Sequence, residues 1–153
     1  MGEQRTIGNR WADLVRAGYE GLGRGDIETL ASLLHEAAEW RGARTGWRRR
    51  RAVCHGCEEI RACLRTLVEK GNLQGSANWQ VHDVMQSGSL VAVSFSWRTP
   101  AQTTIQHGHV LRLDGDRVVE IQSYLRPKRA FMIVENQGRS SGLAEPGEHM
   151  HRF

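Results

Sequence analysis

Three stretches in the second half of the chain alternate apolar and polar residues. Of all the features of this sequence, their position after a helical first half restricts the possible folds most. Residues 79–99, 105–114 and 117–125 predict long strands joined by short polar turns, one of which carries an Asp-Gly pair. Within residues 90–97, bulky side chains alternate with alanine and serine, so one face of that strand is large and the other small. Helices followed by an antiparallel meander indicate an α+β domain.

The first half of the chain has the apolar spacing of amphipathic helices, with Asn9 and Asp26 as candidate N-caps and Gly56 opening the last helix. This spacing places three helices at residues 9–22, 26–34 and 56–71, and a short strand at 37–41. We therefore expect the sheet to pack on three N-terminal helices.

Length and composition predict one soluble domain. A chain of 153 residues with 39% apolar and 25% charged residues is ordinary for a globular protein. No apolar run approaches the ~20 residues that a membrane helix needs. The polar start of the chain has no secretory signal, which predicts a cytoplasmic protein with no membrane partner.

Three cysteines, Cys54, Cys57 and Cys63, are too few for a disulfide framework and odd in number. We therefore expect free thiols. Zinc binding is the alternative, because Cys54 and Cys57 have the spacing of a ligand pair, but no second pair follows. The sequence thus predicts neither a metal nor another cofactor.

The net charge of +4 comes from one arginine-rich segment, which contains Arg41, Arg44 and residues 48–51. The chain has 21 basic and 17 acidic residues. If the six arginines of this segment are left out, the acidic residues outnumber the basic ones. Two interpretations stay open, a solvated loop or a surface for an acidic partner. Trp47 is the single aromatic residue among these arginines, fewer than a surface for single-stranded nucleic acid uses, so binding to nucleic acid is not expected.

Five segments together resemble the nuclear transport factor 2-like superfamily, and within it the polyketide cyclase-like and ketosteroid isomerase-like (SnoaL-like) branch. These segments are residues 19–26, 33–40, 54–56, 108–115 and 118–124. Because the resemblance covers roughly residues 9–131, it implies a single domain at 9–134 with flexible termini at 1–8 and 135–153.

The fold that this resemblance implies is a cone, in which a curved antiparallel sheet wraps around three helices and encloses a mostly apolar pocket. Members are commonly homodimers through the outer face of the sheet, so a homodimer is implied here as well. They include isomerases, cyclases, dehydratases, epoxide hydrolases, ligand binders and interaction modules. The resemblance therefore implies the fold and does not select a reaction.

Two histidines are the candidate catalytic residues, because His107 and His109 share one face of the strand at 105–114. By the resemblance, His109 lies where the isomerases keep a protonated carboxyl that hydrogen-bonds a developing enolate. An imidazole, with an ordinary pKa of about 6.5, can donate to an oxyanion or accept a proton. The alternative is a structural histidine bonded to a hydroxyl such as that of Ser94 or Ser123.

The carboxylates that the family's enzymes use are missing from this chain. The base of the isomerases would fall near Trp40 or Arg41, and the aspartate of the cyclases at Gln122 or Arg126. Glu39 turns to solvent if Trp40 faces the pocket. These absences argue against a steroid isomerase mechanism and leave open whether the chain is an enzyme.

Aromatic residues favour a flat hydrophobic ligand, because each ring supplies a rigid apolar face. Asp83, the remaining strand acid, can line the same face as Trp79 by alternation, and its role stays open. The predicted pocket residues are Tyr19, Trp40, Trp79, Phe95, Trp97, Ile121 and Ser123.

Two functions follow from these residues. The first is binding of a small hydrophobic molecule, up to a polycyclic one, with or without acid–base catalysis of the isomerase, cyclase or dehydratase type by His109 and His107. The alternative is a non-catalytic homodimeric interaction module that uses arginines 48–51 on an acidic partner.

Overall fold

The computed structural model describes residues 2–42, 53–73, 79–98 and 101–143. Its helices are α1 (Gly2–Leu22), α2 (Glu28–Ala31), α3 (Gly56–Leu73) and α4 (Pro127–Leu143). Its strands are β1 (Leu34–Arg41), β2 (Val53–His55), β3 (Gln80–Ser87), β4 (Leu90–Arg98), β5 (Thr104–Asp114) and β6 (Arg117–Tyr124). No helix in the described part of the chain is long and apolar enough to cross a membrane.

The six strands form one curved, open sheet in the order β2-β1-β6-β5-β4-β3. All neighbours run antiparallel except β1 and β6, which are parallel, so the sheet is mixed. The parallel pair arises because α3 and the meander intervene between the two strands. The predicted α+β class, with a curved sheet on N-terminal helices, is confirmed.

The first two helices differ from the prediction at their ends. α1 begins at Gly2, so the predicted N-cap at Asn9 is wrong. The helix extends further toward the N-terminus because the glutamate, glutamine and arginine that precede Asn9 are good helix formers. The backbone N–H of Thr29 donates to Asp26 Oδ1 at 3.2 Å, which confirms the second cap. α2 is a single turn, because the Leu33 carbonyl accepts from the Val118 N–H at 2.8 Å and draws the chain into the sheet.

The inner face of the sheet holds the main core, together with α1, α2 and α3. Along β4 the large side chains face inward, and the alternation predicted for residues 90–97 is confirmed. Tyr19 and Leu22 of α1 and Leu64 of α3 are fully buried against this face. The inner face is therefore the place where aromatic and histidine side chains collect.

α4 covers part of the outer face, and the sequence did not predict it. The resemblance implies a flexible terminus at 135–153, whereas α4 continues as a helix to Leu143. The signal that was missed is the apolar spacing of Ala130 and Val134, which are both fully buried. The domain boundaries at residues 9 and 134 stay a prediction.

Two of the three cysteines are not free. Cys54 on β2 forms a disulfide with Cys63 on α3, and Cys57 is the free one. The prediction of three free thiols is wrong for this pair, because β2 leads directly into α3 and Cys54 lies only nine residues before its partner Cys63. Disulfides persist mainly in oxidising compartments, so the cytoplasmic location stays an expectation from the sequence alone.

Close packing of Trp79 on Gly23 supports a first prediction. An ideal Cβ atom on Gly23 would lie 2.9 Å from Trp79 Cγ, and Gly23 does not have a positive φ, so alanine is conformationally allowed there. We expect Gly23→Ala to lower the free energy of unfolding by about 1–3 kcal/mol through overpacking, measured by urea denaturation.

The same substitution in a Trp79→Ala background is the control. Without the indole there is no overlap, so Gly23→Ala should cost nothing further, and the two effects should be strongly non-additive. Simple additivity of the two substitutions would show that Gly23 does not limit the packing of Trp79.

Candidate functional site

His109 lies at the centre of the inner face, on β5 between its neighbours Val93 on β4 and Ser123 on β6. Its side chain is only 2% exposed. The hydroxyl of Tyr19, from α1, is 2.7 Å from His109 Nδ1. This hydrogen bond joins the first helix to the middle of the sheet across 90 residues of sequence.

Burial determines the charge of this pair. It lowers the pKa of His109 to about 3, with a smaller contribution from the neighbouring His107. Burial also raises the pKa of the Tyr19 hydroxyl well above its ordinary range. Both groups are therefore neutral at pH 7, and the bond joins a phenol to an uncharged imidazole.

Three aromatic rings form a stacked layer beside this pair. The ring centroids of Trp79 and Phe95 are 5.1 Å apart, and those of Trp79 and Trp97 are 5.9 Å apart. The Trp79 Nε1–H donates to the backbone carbonyl of Tyr19 at 3.0 Å, which fixes the indole against α1. The layer thus presents a rigid apolar surface on the inner face.

His107 lies at the border of this aromatic layer. Its ring meets Trp97 edge-on with centroids 5.2 Å apart, and it contacts Phe95 in the same way at 6.1 Å. Its side chain is partly exposed, and burial lowers its pKa. Of the two predicted catalytic histidines, His107 is therefore the more accessible.

Trp40 and Ser123 complete the site on the side of β1 and β6. The Trp40 Nε1–H donates to Ser123 Oγ at 2.8 Å, and the Trp40 ring meets the His109 ring edge-on at 5.4 Å. Ile121 is fully buried and is the register partner of Trp40. The structure thus brings all seven predicted pocket residues and both histidines together, and their contact with a ligand stays a prediction.

The carboxylates near the site lie on the other side of the sheet. Glu39 pairs with Arg41 at 3.5 Å and with His55 at 3.3 Å on the outer face, as expected if Trp40 faces inward. A β-bulge between Val81 and Val84 turns Asp83 outward, where its N–H donates to Ser94 Oγ. In the described ranges, the buried polar side chains are three serines and one histidine, and none carries a charge.

The partner of His109 differs from the predicted one. Ser94 belongs to the outer face, and Ser123 accepts from Trp40, so the histidine is bonded to Tyr19 instead. In the described part of the chain, no group of three His, Cys, Asp or Glu side chains converges to hold a metal. Trp11, which the apolar spacing of the first helix places on the same stripe as Tyr19, packs against the same core although it is not among the predicted pocket residues.

Comparison with known proteins agrees with this architecture. The sequence profile of the SnoaL-like domain family matches residues 15–121. A comparison with curated proteins found no match.

Three solved structures illustrate the similarity in fold. A nuclear transport factor 2-like protein of unknown function from Mesorhizobium loti has a TM-score of 0.60 at 12% identity, over 76% of this chain and 91% of that one. A similar protein from Cytophaga hutchinsonii has a TM-score of 0.54 at 16% identity, over 78% and 92%. Bal32a, from a soil-derived mobile gene cassette, has a TM-score of 0.56 at 23% identity, over 73% and 86%. At these identities the likeness shows the fold alone.

The low pKa of His109 predicts how stability depends on pH. Between the unfolded pKa of about 6.5 and the folded pKa of about 3, only the unfolded chain takes up this proton. We therefore expect the free energy of unfolding to fall by about 1.4 kcal/mol for each pH unit of acidification below ~6, beyond the contribution of other groups. The measurement is urea denaturation at a series of pH values.

The variant for comparison is the double substitution His109→Leu with Tyr19→Phe, which removes both polar partners together. Its stability should fall less steeply with acidification than that of the natural chain. Parallel curves for the double variant and the natural chain would contradict the assignment to His109.

Proposed function

Because this chain belongs to the SnoaL-like domain family, we propose that it binds a small, flat, hydrophobic molecule on the inner face of its sheet. The observation that carries this proposal is the gradient of exposure across the aromatic cluster. Tyr19 and Phe95 are fully buried, whereas Trp40, Trp79 and His107 are only partly so. The cluster therefore has a packed base and an accessible border.

The accessible border suits a planar ring system. Large aromatic side chains that stay partly exposed offer ring faces and edges on which a ligand can stack. Here the exposed indoles are held by their own hydrogen bonds, Trp40 to Ser123 and Trp79 to Tyr19, so little rotamer freedom remains to be lost on binding. A fused-ring ligand, up to a polycyclic one, matches this surface.

The polar groups of the site favour an uncharged ligand. His107 has a pKa lowered by burial, so it is neutral at pH 7 and can donate or accept one hydrogen bond. Ser123 accepts from Trp40 and keeps its own hydroxyl hydrogen to donate. A carboxylate would lose its hydration here without meeting a buried cation, which is costly.

The geometry favours binding over acid–base catalysis. His109, with a pKa of about 3, is a very weak base at neutral pH, and its position behind Trp40 leaves it almost unexposed. We propose that it supports the site and that His107 contacts the ligand. The alternative function, an interaction module that uses residues 48–51, concerns a segment outside the described residues and stays a prediction.

Naphthalene derivatives test the binding proposal. We expect 2-naphthol to bind saturably in isothermal titration calorimetry at pH 7, and 2-naphthoate to bind roughly tenfold more weakly or worse, because its charge must be desolvated. His107→Ala should weaken 2-naphthol binding by about tenfold, the effect of losing one hydrogen bond and one ring contact.

The matched control is His55→Ala, which removes an imidazole that pairs with Glu39 on the outer face. It should leave the affinity unchanged. If neither naphthalene derivative binds the natural chain, or if His107→Ala binds 2-naphthol as well as the natural chain does, the proposed site is wrong.

A further inference from the structure

We infer that reduction of the disulfide between Cys54 and Cys63 by a dithiol weakens ligand binding at the inner face, which makes this cross-link a redox control of the site. The ligand is the one proposed above, so this part rests on the proposed function. The position of the cross-link follows from the register of the sheet and from the packing of α3.

Cys54 lies beside one of the two indoles at the border of the ligand site. On the neighbouring strands β1 and β2, Trp40 is the register partner of Cys54. In an antiparallel pair, the side chains of opposite residues project from the same face, with Cβ atoms roughly 4.5–5.5 Å apart. Both side chains are partly buried against the core of the inner face. The disulfide therefore fixes the strand position next to Trp40.

The segment of β1 that carries Trp40 has short pairing on each side. Toward β6, the register is interrupted by a bulge between Leu34 and Glu39 and resumes at residues 39–41. Toward β2, the same three residues pair with residues 53–55. β2 thus supplies half of the strand pairing that holds the backbone of Trp40 in place.

The disulfide joins a short edge strand to a well-packed helix. β2 has three residues and lies at the edge of the sheet, where few backbone pairs hold a strand. Cys63 lies about two turns into α3, between the fully buried side chains of Ile60 and Leu64. The cross-link therefore gives β2, and through it Trp40, the rigidity of this part of α3.

Reduction should loosen β2 without unfolding the domain. The cross-linked residues are nine apart in sequence, and the stabilisation from a disulfide is smaller for a short loop than for a long one. The backbone N–H of His55 still donates to Glu59 Oε1 at 2.8 Å after reduction, so β2 stays joined to the start of α3. The expected change is therefore local to β2 and the adjoining part of β1.

The chemistry is thiol–disulfide exchange, and both cysteines are partly exposed to a reacting thiol. A thiolate of the dithiol attacks one sulfur, the bond between Cys54 and Cys63 breaks, and the other cysteine leaves as a thiolate that takes up a proton. The second thiol of the dithiol loses its proton and displaces the first cysteine, which is protonated in turn. The dithiol is oxidised by two electrons to its own disulfide, and the two cysteines are reduced.

Cys57 requires a control, because it is free and follows Cys54 at the spacing of a C-x-x-C pair. Its Sγ atom is 3.9 Å from the carbonyl oxygen of Ala31 at the end of α2. A reduced Cys54 could pair with Cys57 on reoxidation. In a Cys57→Ser background this exchange is removed, because Cys54 and Cys63 are then the two cysteines of the chain.

The test is isothermal titration calorimetry of 2-naphthol at pH 7 on the Cys57→Ser chain, before and after reduction with dithiothreitol. We expect reduction to weaken binding by about two- to tenfold, the effect of having to order one more side chain on binding. Cys63→Ser in the same background has no disulfide to reduce. It should bind with the weaker affinity whether or not dithiothreitol is present.

Hydrogen–deuterium exchange without ligand tests the structural part separately. After reduction, residues 34–41 and 53–55 should exchange faster, whereas residues 90–98 of β4 should not change. Mass spectrometry after alkylation with iodoacetamide verifies the state of the cysteines in each sample. If Cys57→Ser does not fold, the natural chain is measured with and without dithiothreitol under the same expectations.

The outcomes separate this inference from the proposed function. Equal affinity of the oxidised and the reduced chain for 2-naphthol would overturn the redox control and leave the binding function intact. Unchanged exchange at residues 34–41 after reduction would also overturn it. If the oxidised chain does not bind 2-naphthol, the proposed function fails and the control of binding fails with it, whatever the exchange data show.

Discussion

The hydrogen bond between Tyr19 and His109 is the interaction on which the interior of this protein depends. A buried imidazole without a partner would cost about 1–3 kcal/mol, and a buried phenol would cost a similar amount. Each side chain is the hydrogen-bond partner of the other, at 2.7 Å. This bond fixes α1 over the centre of the sheet. Trp79 then bonds to the Tyr19 carbonyl, and the aromatic layer is built on that position.

This arrangement separates charge between the two faces of the sheet. Among the described residues, the buried titratable groups of the inner face, His109 and Tyr19, are both neutral, because burial in an apolar surrounding disfavours their charged forms. The ion pairs of Glu39 and Glu120 are confined to the outer face, where water screens them. Strand alternation alone sorts these residues, since Glu39 and Trp40 are adjacent in sequence and point to opposite sides.

The same alternation explains what the sequence could predict. It placed His107 and His109 on one face, the large side chains of residues 90–97 beside them, and Glu39 on the other side. It could not predict that Tyr19 meets His109, because that contact depends on the angle at which a helix crosses a sheet. The sequence also did not predict the bulge at Asp83, because a bulge breaks the alternation. It did not predict the helix at Ala130, because the last turns of that helix contain glycine and serine.

The two faces are not independent, because β5 belongs to both. His109 points inward between Gly108, which α4 contacts, and Val110, which lies beneath α4. A strand held on one side by a packed helix cannot shift without moving the side chains on its other face. α4 therefore helps to preorganise the histidines at the same time as it covers the outer face. Loss of the helix would loosen the border of the aromatic cluster before it disturbed the buried bond between Tyr19 and His109, because that bond is also held by α1.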